Sequence, residues 1–420
     1  MTQMLSLDAH PEVVTPAAAS ANGAPPAPVL LAVDANAIVL AGPDPHAQAQ
    51  EAIALAAELA HVVPAPQVGT GPALPLLDRD LSILAFNERV LSWAERKDVP
   101  LLERLRYLCI VSSNLDEWFE VRSAPHVAVA QTGEERDSYT RTRFAALMDK
   151  AQALVAQQYQ IYNQALIPAF HTHGIRLISH GERNAAQRRW VHEYFLREVQ
   201  PLLVPVGLDP SHPFPQVANK ALNFIVRLDG VDAFGRANEV AIVKVPRALP
   251  RLIPMPQKIA GKQRLFVSIS SIVRAHLAEL FPGREVTEFS QFRVTRNSDL
   301  AVDEEDVINL RMALRQGLHH RHYGQAVRLE VSASCSAVLA NVLLQQHGLP
   351  QQALFRVKGP VNLVRQMQLI DLVDDPALLF SPWKPAWPRQ LVAGRSVMEQ
   401  MRKGDVLIHQ PYESFDAVLA

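Results

Sequence analysis

Cysteine is scarce: Cys109 and Cys335 are the only two in 420 residues. Two distant thiols build neither a disulfide framework nor a thiolate zinc site. Cys109 falls on an apolar helix face and is read as a small packing hydrophobe. Basic residues are missing from the front. Residues 1–78 hold no Lys or Arg and seven acids. Signal and transit peptides open with basic residues, so neither is expected. No apolar run reaches the length of a membrane span, and a reducing cytoplasm is the expected compartment. Phosphate-cradling loops are missing too: neither Gly-x-x-x-x-Gly-Lys-[Ser/Thr] nor Gly-x-Gly-x-x-Gly occurs. There is no nucleophile elbow. Lys and Arg do not cluster and no nucleic-acid module is recognisable, so no nucleic-acid partner is expected.

What is present suits a globular chain of two or three domains. The apolar fraction is 48 %, enough for real cores. Net charge is −1, but residues 79–420 carry 41 basic against 35 acidic side chains. That surplus favours an anionic partner weakly. Residues 1–76 are rich in Ala and Pro, with Pro25-Pro26-Ala27-Pro28 and Pro64-Ala65-Pro66 breaking regular structure. A disordered extension is expected there, with one short helix possible between Pro45 and His61.

Residues 77–180 read as helices. Asp80 or Ser82 is expected to cap the first, Pro100 to open the second, and a long helix to run from Tyr139 to Phe170 with Phe144, Leu147, Ala151, Leu154 and Tyr159 on one stripe. Short connections favour an antiparallel bundle. Residues 181–385 mix periods. Leu222–Leu228 and Val240–Val245 read as strands, and Phe292–Arg296 and Val327–Val331 alternate as strands do. Glu182–Val199, Ser270–Leu280, a segment from Asp303 and Ser336–Gln346 read as helices. No single repeating order holds, so an α+β domain is expected.

One stretch organises the rest: Ser112-Ser113-Asn114-Leu115-Asp116-Glu117-Trp118-Phe119. The helical pattern of Leu101–Val111 stops at two serines and an asparagine and restarts at Leu115. Ser113 and Asn114 have capping side chains, and Asp116 and Glu117 stand where a capping box wants acids. Asn114 is therefore expected at a helix junction. Two readings stand side by side: a helix cap, or an amide that reads a base edge with one donor and one acceptor.

Three blocks carry a resemblance: Asp78-Arg79-Asp80-Leu81-Ser82-Ile83-Leu84-Ala85-Phe86-Asn87-Glu88-Arg89-Val90-Leu91, then Val99-Pro100-Leu101-Leu102-Glu103-Arg104-Leu105, then Ser113-Asn114-Leu115-Asp116-Glu117. Together they resemble the start of the polyphosphate kinase family, the large type that builds phosphate chains from ATP through a phosphohistidine. The resemblance continues at Leu208–Pro215, Phe292–Leu300, Val302–Glu305 and Asp405–Asp416. It implies an α+β multidomain protein. A helical N domain (77–180) touches nucleotide, with Asn114 at the adenine. A mixed head domain (181–385) carries the dimer contact and borders the polymer channel, and residues 386–420 begin a phospholipase D-like catalytic domain. It implies ATP/ADP and inorganic polyphosphate as partners, a homodimer, and Mg²⁺ arriving with ATP. The family's two catalytic histidines and several arginines lie beyond the tail motif. The resemblance thus implies an N-terminal portion with no catalytic residues of its own and no activity alone. A non-catalytic nucleotide-binding and dimerisation module is the alternative.

The remaining histidines and arginines read as structure. His409 is expected at a strand end beside a turn, not as the nucleophile. His319-His320-Arg321-His322 and His171-Thr172-His173 read as solvated helix ends rather than metal sites, and no metal ligands are assigned. His212 stands between a turn and a family match. Arg188-Arg189 and Arg293/Arg296 could meet phosphate but are expected on solvated faces.

Overall fold

The Asp78 carboxylate accepts from the Leu81 N–H at 2.9 Å and caps α1 (Arg79–Glu95). The cap falls at Asp78, ahead of the expected Asp80 or Ser82. Pro100 directly precedes α2 (Leu101–Arg122). The computed structural model describes residues 76–209, 213–231, 239–298 and 324–419. The expected extension, the Asp303 helix, His212 and His319–His322 lie outside them, apart from residue 76.

Helix α2 runs without a break through Ser112, Ser113 and Asn114, which corrects the expected junction. The reason is packing. Leu108, Cys109 and Val111 before the trio and Leu115, Trp118 and Phe119 after it are all buried in one core. A serine or asparagine inside a helix costs roughly 0.5 kcal/mol against alanine. Each large apolar side chain returned to that core is worth about 1.5–3 kcal/mol, so continuity wins. The capping box is therefore not formed, and Asp116 is buried instead.

Pro125 sits in the first turn of α3 (Ala124–Thr132), which ends on Gly133 with φ 79°. Thr140 caps α4 (Arg141–Ile161). A wide π-turn at Tyr162–Leu166 then leads to α5 (Ile167–Thr172). The expected helix from Tyr139 to Phe170 is thus present but interrupted. Pro168 has no N–H for the ladder, and a widened turn makes room for its ring.

After β1 (Ile175–Leu177), Asn184 and Gln187 form a reciprocal capping box on α6 (Ala185–Tyr194), which continues as a π-turn to Val199. The strands follow: β2 (Val204–Gly207), β3 (Asn223–Asp229), β4 (Val240–Lys244), β5 (Leu252–Pro254) and β6 (Arg264–Ser268). Ser268 caps α7 (Ile269–Ala275), and β7 (Glu285–Arg296) and β8 (Ala326–Ser332) come next. Ser336 caps α8 (Ala337–Gln346), which crosses to β9 (Leu354–Val357). A 3₁₀ turn at Leu363–Met367 runs into α9 (Gln368–Val373).

The strands make a three-stranded sheet, β1-β6-β5, and a six-stranded sheet, β2-β4-β3-β7-β8-β9. Neighbours in the larger sheet are antiparallel except β8 and β9, which are parallel. That pair needs a crossover, and α8 supplies it. The mixed α+β class holds. Helix α2 lies against β7, β8 and the 3₁₀ turn. Phe119 meets Phe355 of β9 edge-on at 5.4 Å. Residues Leu76–Ala420 hold together as one unit.

Candidate nucleotide site and its supports

Asn114 is half-buried on α2, and its Nδ2 donates to Asn87 Oδ1 at 2.9 Å. Asn87 is buried on α1, and its own Nδ2 donates to the Ile83 carbonyl at 3.0 Å. The two amides form a short chain between helices. Asn114 Oδ1 makes no hydrogen bond among the described residues and remains an acceptor. Ser113 and Glu117 beside it are exposed. This can accept one N–H from a purine's exocyclic amine; reading a second edge atom requires Nδ2 to exchange Asn87 for the base.

Two residues on, about 200° around the helix, Asp116 faces the sheet. Its Oδ2 accepts from Arg293 Nη1 at 2.7 Å and its Oδ1 from Arg328 Nη1 at 3.3 Å. Glu330 Oε2 accepts from Arg293 Nη2 at 2.9 Å and Arg328 Nη2 at 2.5 Å. Glu330 Oε1 accepts from the Asn362 N–H at 2.8 Å. All four charged residues are buried. Arg328 also lies over the rings of Phe119 and Phe355, at 4.9 and 4.6 Å. The quartet is neutral, and each carboxylate oxygen has a donor, as burial demands. Burial alone would raise the Glu330 pKa, but Arg293 and Arg328 outweigh it and hold the carboxyl below its ordinary value. Burial likewise opposes the charge on Arg293, yet Asp116 and Glu330 keep its pKa above the usual one.

Arg293 is therefore no solvated strand residue, which corrects the expectation. Arg296 is half-buried, with Nη1 donating to Gly324 O at 2.9 Å. Arg188 and Arg189 are exposed as expected. The missed signal was an Arg at an inward register of β7 opposite a Glu on β8, paired through Arg293↔Glu330.

A second cluster fixes the far end of α2. Asp80 accepts from Arg122 Nε at 2.6 Å, meets His126 Nε2 at 3.2 Å and pairs with Arg143 at 3.4 Å. Burial would raise the Asp80 pKa, but Arg122 and His126 bring it below the usual value. Burial pushes His126 down. A third contact, Glu120 with Lys220 Nζ at 2.8 Å and Asn219 Nδ2 at 2.5 Å, ties α2 to the segment entering β3.

The other predicted positions are quieter. Cys109 is buried, its Sγ donates to the Leu363 carbonyl at 3.3 Å, and burial pushes the thiol up to about 12. His171 and His173 are exposed at the end of α5. His409 lies in an exposed turn, not at a strand end; its N–H donates to Glu413 Oε2 at 3.0 Å. Among the described residues, His192, His276 and Glu279 bring ligand atoms within 4.8 Å of one another and could hold a cation. The sequence analysis did not find that group, and no contact joins it to Asn114.

Helices leading into a mixed sheet, with one half-buried amide held on the clamped helix, define an α+β chain with Asn114 as its candidate site. Residues 76–178 match the family described as polyphosphate kinase N-terminal domain, and residues 186–369 the one described as polyphosphate kinase middle domain. The chain belongs to the polyphosphate kinase family. It is 47 % identical over 348 residues to a polyphosphate kinase of Neisseria meningitidis serogroup B, covering 82 % of this chain and 51 % of that protein. It is 46 % identical over 351 residues to one of Burkholderia multivorans, with 82 % and 51 % covered. A crystal structure of polyphosphate kinase from Porphyromonas gingivalis matches with a TM-score of 0.67 at 27 % identity, covering 83 % of this chain and 49 % of that one. The chain spans about half the length of the curated relatives it matches.

Proposed function

We propose that this chain supplies the nucleotide-binding front of a phosphotransferase that moves the terminal phosphoryl group of ATP onto inorganic polyphosphate, releasing ADP. The observation that carries this reading is Asn114 itself. Its carboxamide is oriented by Asn87 at 2.9 Å, on a helix clamped to the sheet by the buried quartet. An acceptor oxygen held this rigidly loses little freedom on binding, which favours recognition.

The supporting residues also bear on the metal. Both Asp116 oxygens are engaged by arginines, which leaves exposed Glu117 as the one carboxylate next to Asn114 on α2. One carboxylate does not make a resident magnesium site, so Mg²⁺ enters this reading bound to the nucleotide phosphates. The divisions into a helical N domain (77–180), a head domain that dimerises (181–385) and the beginning of a phospholipase D-like domain (386–420) belong to the same proposal. So does the absence of phosphohistidine chemistry within residues 76–419. A cytoplasmic location belongs to the same proposal; no described helix is long and apolar enough to cross a membrane.

Titration of ATP into wild type and Asn114→Ala tests the reading. Loss of one or two base hydrogen bonds should weaken ATP by about tenfold. Equal affinities would remove Asn114 from the nucleotide site.

A further inference from the structure

The ends of α6 and α7 bring two imidazoles and a carboxylate together. His276 closes α7: Ser268 caps the start of that helix, and the His276 N–H donates to the Val273 carbonyl at 3.1 Å. A 3₁₀ turn, Leu277–Leu280, follows and carries Glu279 back to the ring. His276 Nδ1 and Glu279 Oε1 are 2.7 Å apart. His192 comes from a distant part of the chain, the last turn of α6, and its Nδ1 lies 3.7 Å from the same oxygen.

Packing fixes this arrangement. Just after His192 the helix widens into the π-turn Phe195–Val199. Phe195 is buried, and its ring stacks on His276 with centroids 4.4 Å apart and planes at 18°. His276 is itself buried, and its Nε2 has no partner among the described residues, so Nδ1 is the nitrogen that meets the other two groups. The His192 and Glu279 side chains are 47 % and 39 % exposed, so solvent reaches the group from one side. An ion pair accounts for His276 with Glu279. It leaves the second imidazole unexplained, although the His192 ring stands only 5.1 Å from that of His276.

A tetrahedral cation about 2.1 Å from its donors holds them about 3.4 Å apart. The separations of 2.7 and 3.7 Å stand on either side of that value, and ligand atoms of all three residues lie within 4.8 Å of one another. Small rotations of the two exposed side chains close the difference.

We propose that His192, His276 and Glu279 form a Zn²⁺ site, with water as the fourth ligand on the solvent side. Two imidazoles and one carboxylate are a zinc donor set, whereas Mg²⁺ asks for oxygen donors around an octahedron. The ion replaces a contact within one turn by a clasp between α6 and α7, and so holds the two helices together. The site shares no residue with Asn114 and its supports, and it stands whether or not the chain binds nucleotide.

The test uses the full chain, stripped with a chelator, and Zn²⁺ alone as the probe, titrated against a chromophoric chelator. His276→Gln would disturb the buried stack on Phe195, so the variants are His192→Gln and Glu279→Gln, with His173→Gln and His319→Gln as controls. Wild type should bind Zn²⁺ and melt higher with it, and Mg²⁺ should do neither. Each of His192→Gln and Glu279→Gln should weaken binding by about a hundredfold, since even a residue that only orients a ligand costs 10–100-fold, and should lose the rise in melting temperature. Without metal, Glu279→Gln should melt close to wild type, because an ion pair this exposed contributes little. Both controls and Asn114→Ala should bind Zn²⁺ as wild type does. No binding by wild type overturns the proposal. Unchanged affinity in His192→Gln overturns it as well and leaves an adventitious ion only. A loss that follows His173→Gln or His319→Gln instead places the ion elsewhere and also overturns it.

Discussion

Arg293→Met leaves Asp116 and Glu330 sharing one guanidinium, so the buried quartet acquires a net charge of about −1 where wild type is neutral. Each carboxylate loses one donor: Asp116 the contact at 2.7 Å, Glu330 the one at 2.9 Å. Water cannot replace them, since Asp116 and Glu330 are 4 % and 2 % exposed. Removing one partner of a buried pair costs about 3–5 kcal/mol. A domain's whole stability is about 5–15 kcal/mol, so this single change should consume a large share. With a urea slope of about 3 kcal/mol per molar, the midpoint should fall by roughly 1–2 M. Glu330→Gln gives a second reading of the same physics. Glu330 titrates below its usual value in the fold, so its contribution is present above the unfolded pKa and lost as pH falls through the folded one. Wild type should therefore lose stability below about pH 4.3 more steeply than the Gln variant. A midpoint shift in Arg293→Met under about 0.3 M, or identical acid limbs in Glu330→Gln and wild type, would refute the reasoning.

Two further outcomes are expected. His347 packs against Phe214 with ring centroids at 5.3 Å, and burial, helped by Arg296, pushes its pKa down to about 4. The unfolded chain then binds the extra proton, so up to about 3 kcal/mol of stability should be lost as pH falls from about 6.5 to 4. His347→Gln should show less of that loss in thermal melts; equal slopes would rule the burial effect out. A dimer formed through residues 181–385 should sediment as such at micromolar concentration, and a monomer there would reject the dimer proposal.

Much of the architecture was legible in local pattern. Apolar runs marked β3 and β4, alternation marked β7 and β8, and Ser336 announced its helix by the cap it provides. The type and position of Asn114 were also plain, but its surroundings were not. The expected break at Ser112–Asn114 followed intrinsic propensity, and the core on both sides of the trio overrode it. Arg293 looked solvated because alternation says only that a residue faces one side of a strand. Which side is covered depends on what packs there.

By itself, the sequence determined where helices and strands could form, which residues could cap them, and that an amide with hydrogen-bonding capacity stands at position 114. Those properties depend on neighbours a few positions away. Only the tertiary structure decided that Asp116 meets Arg293 and Arg328 across separations of 177 and 212 residues. Charge pairing in a core depends on which segments exclude water together, and that is settled when α2 closes on β7 and β8.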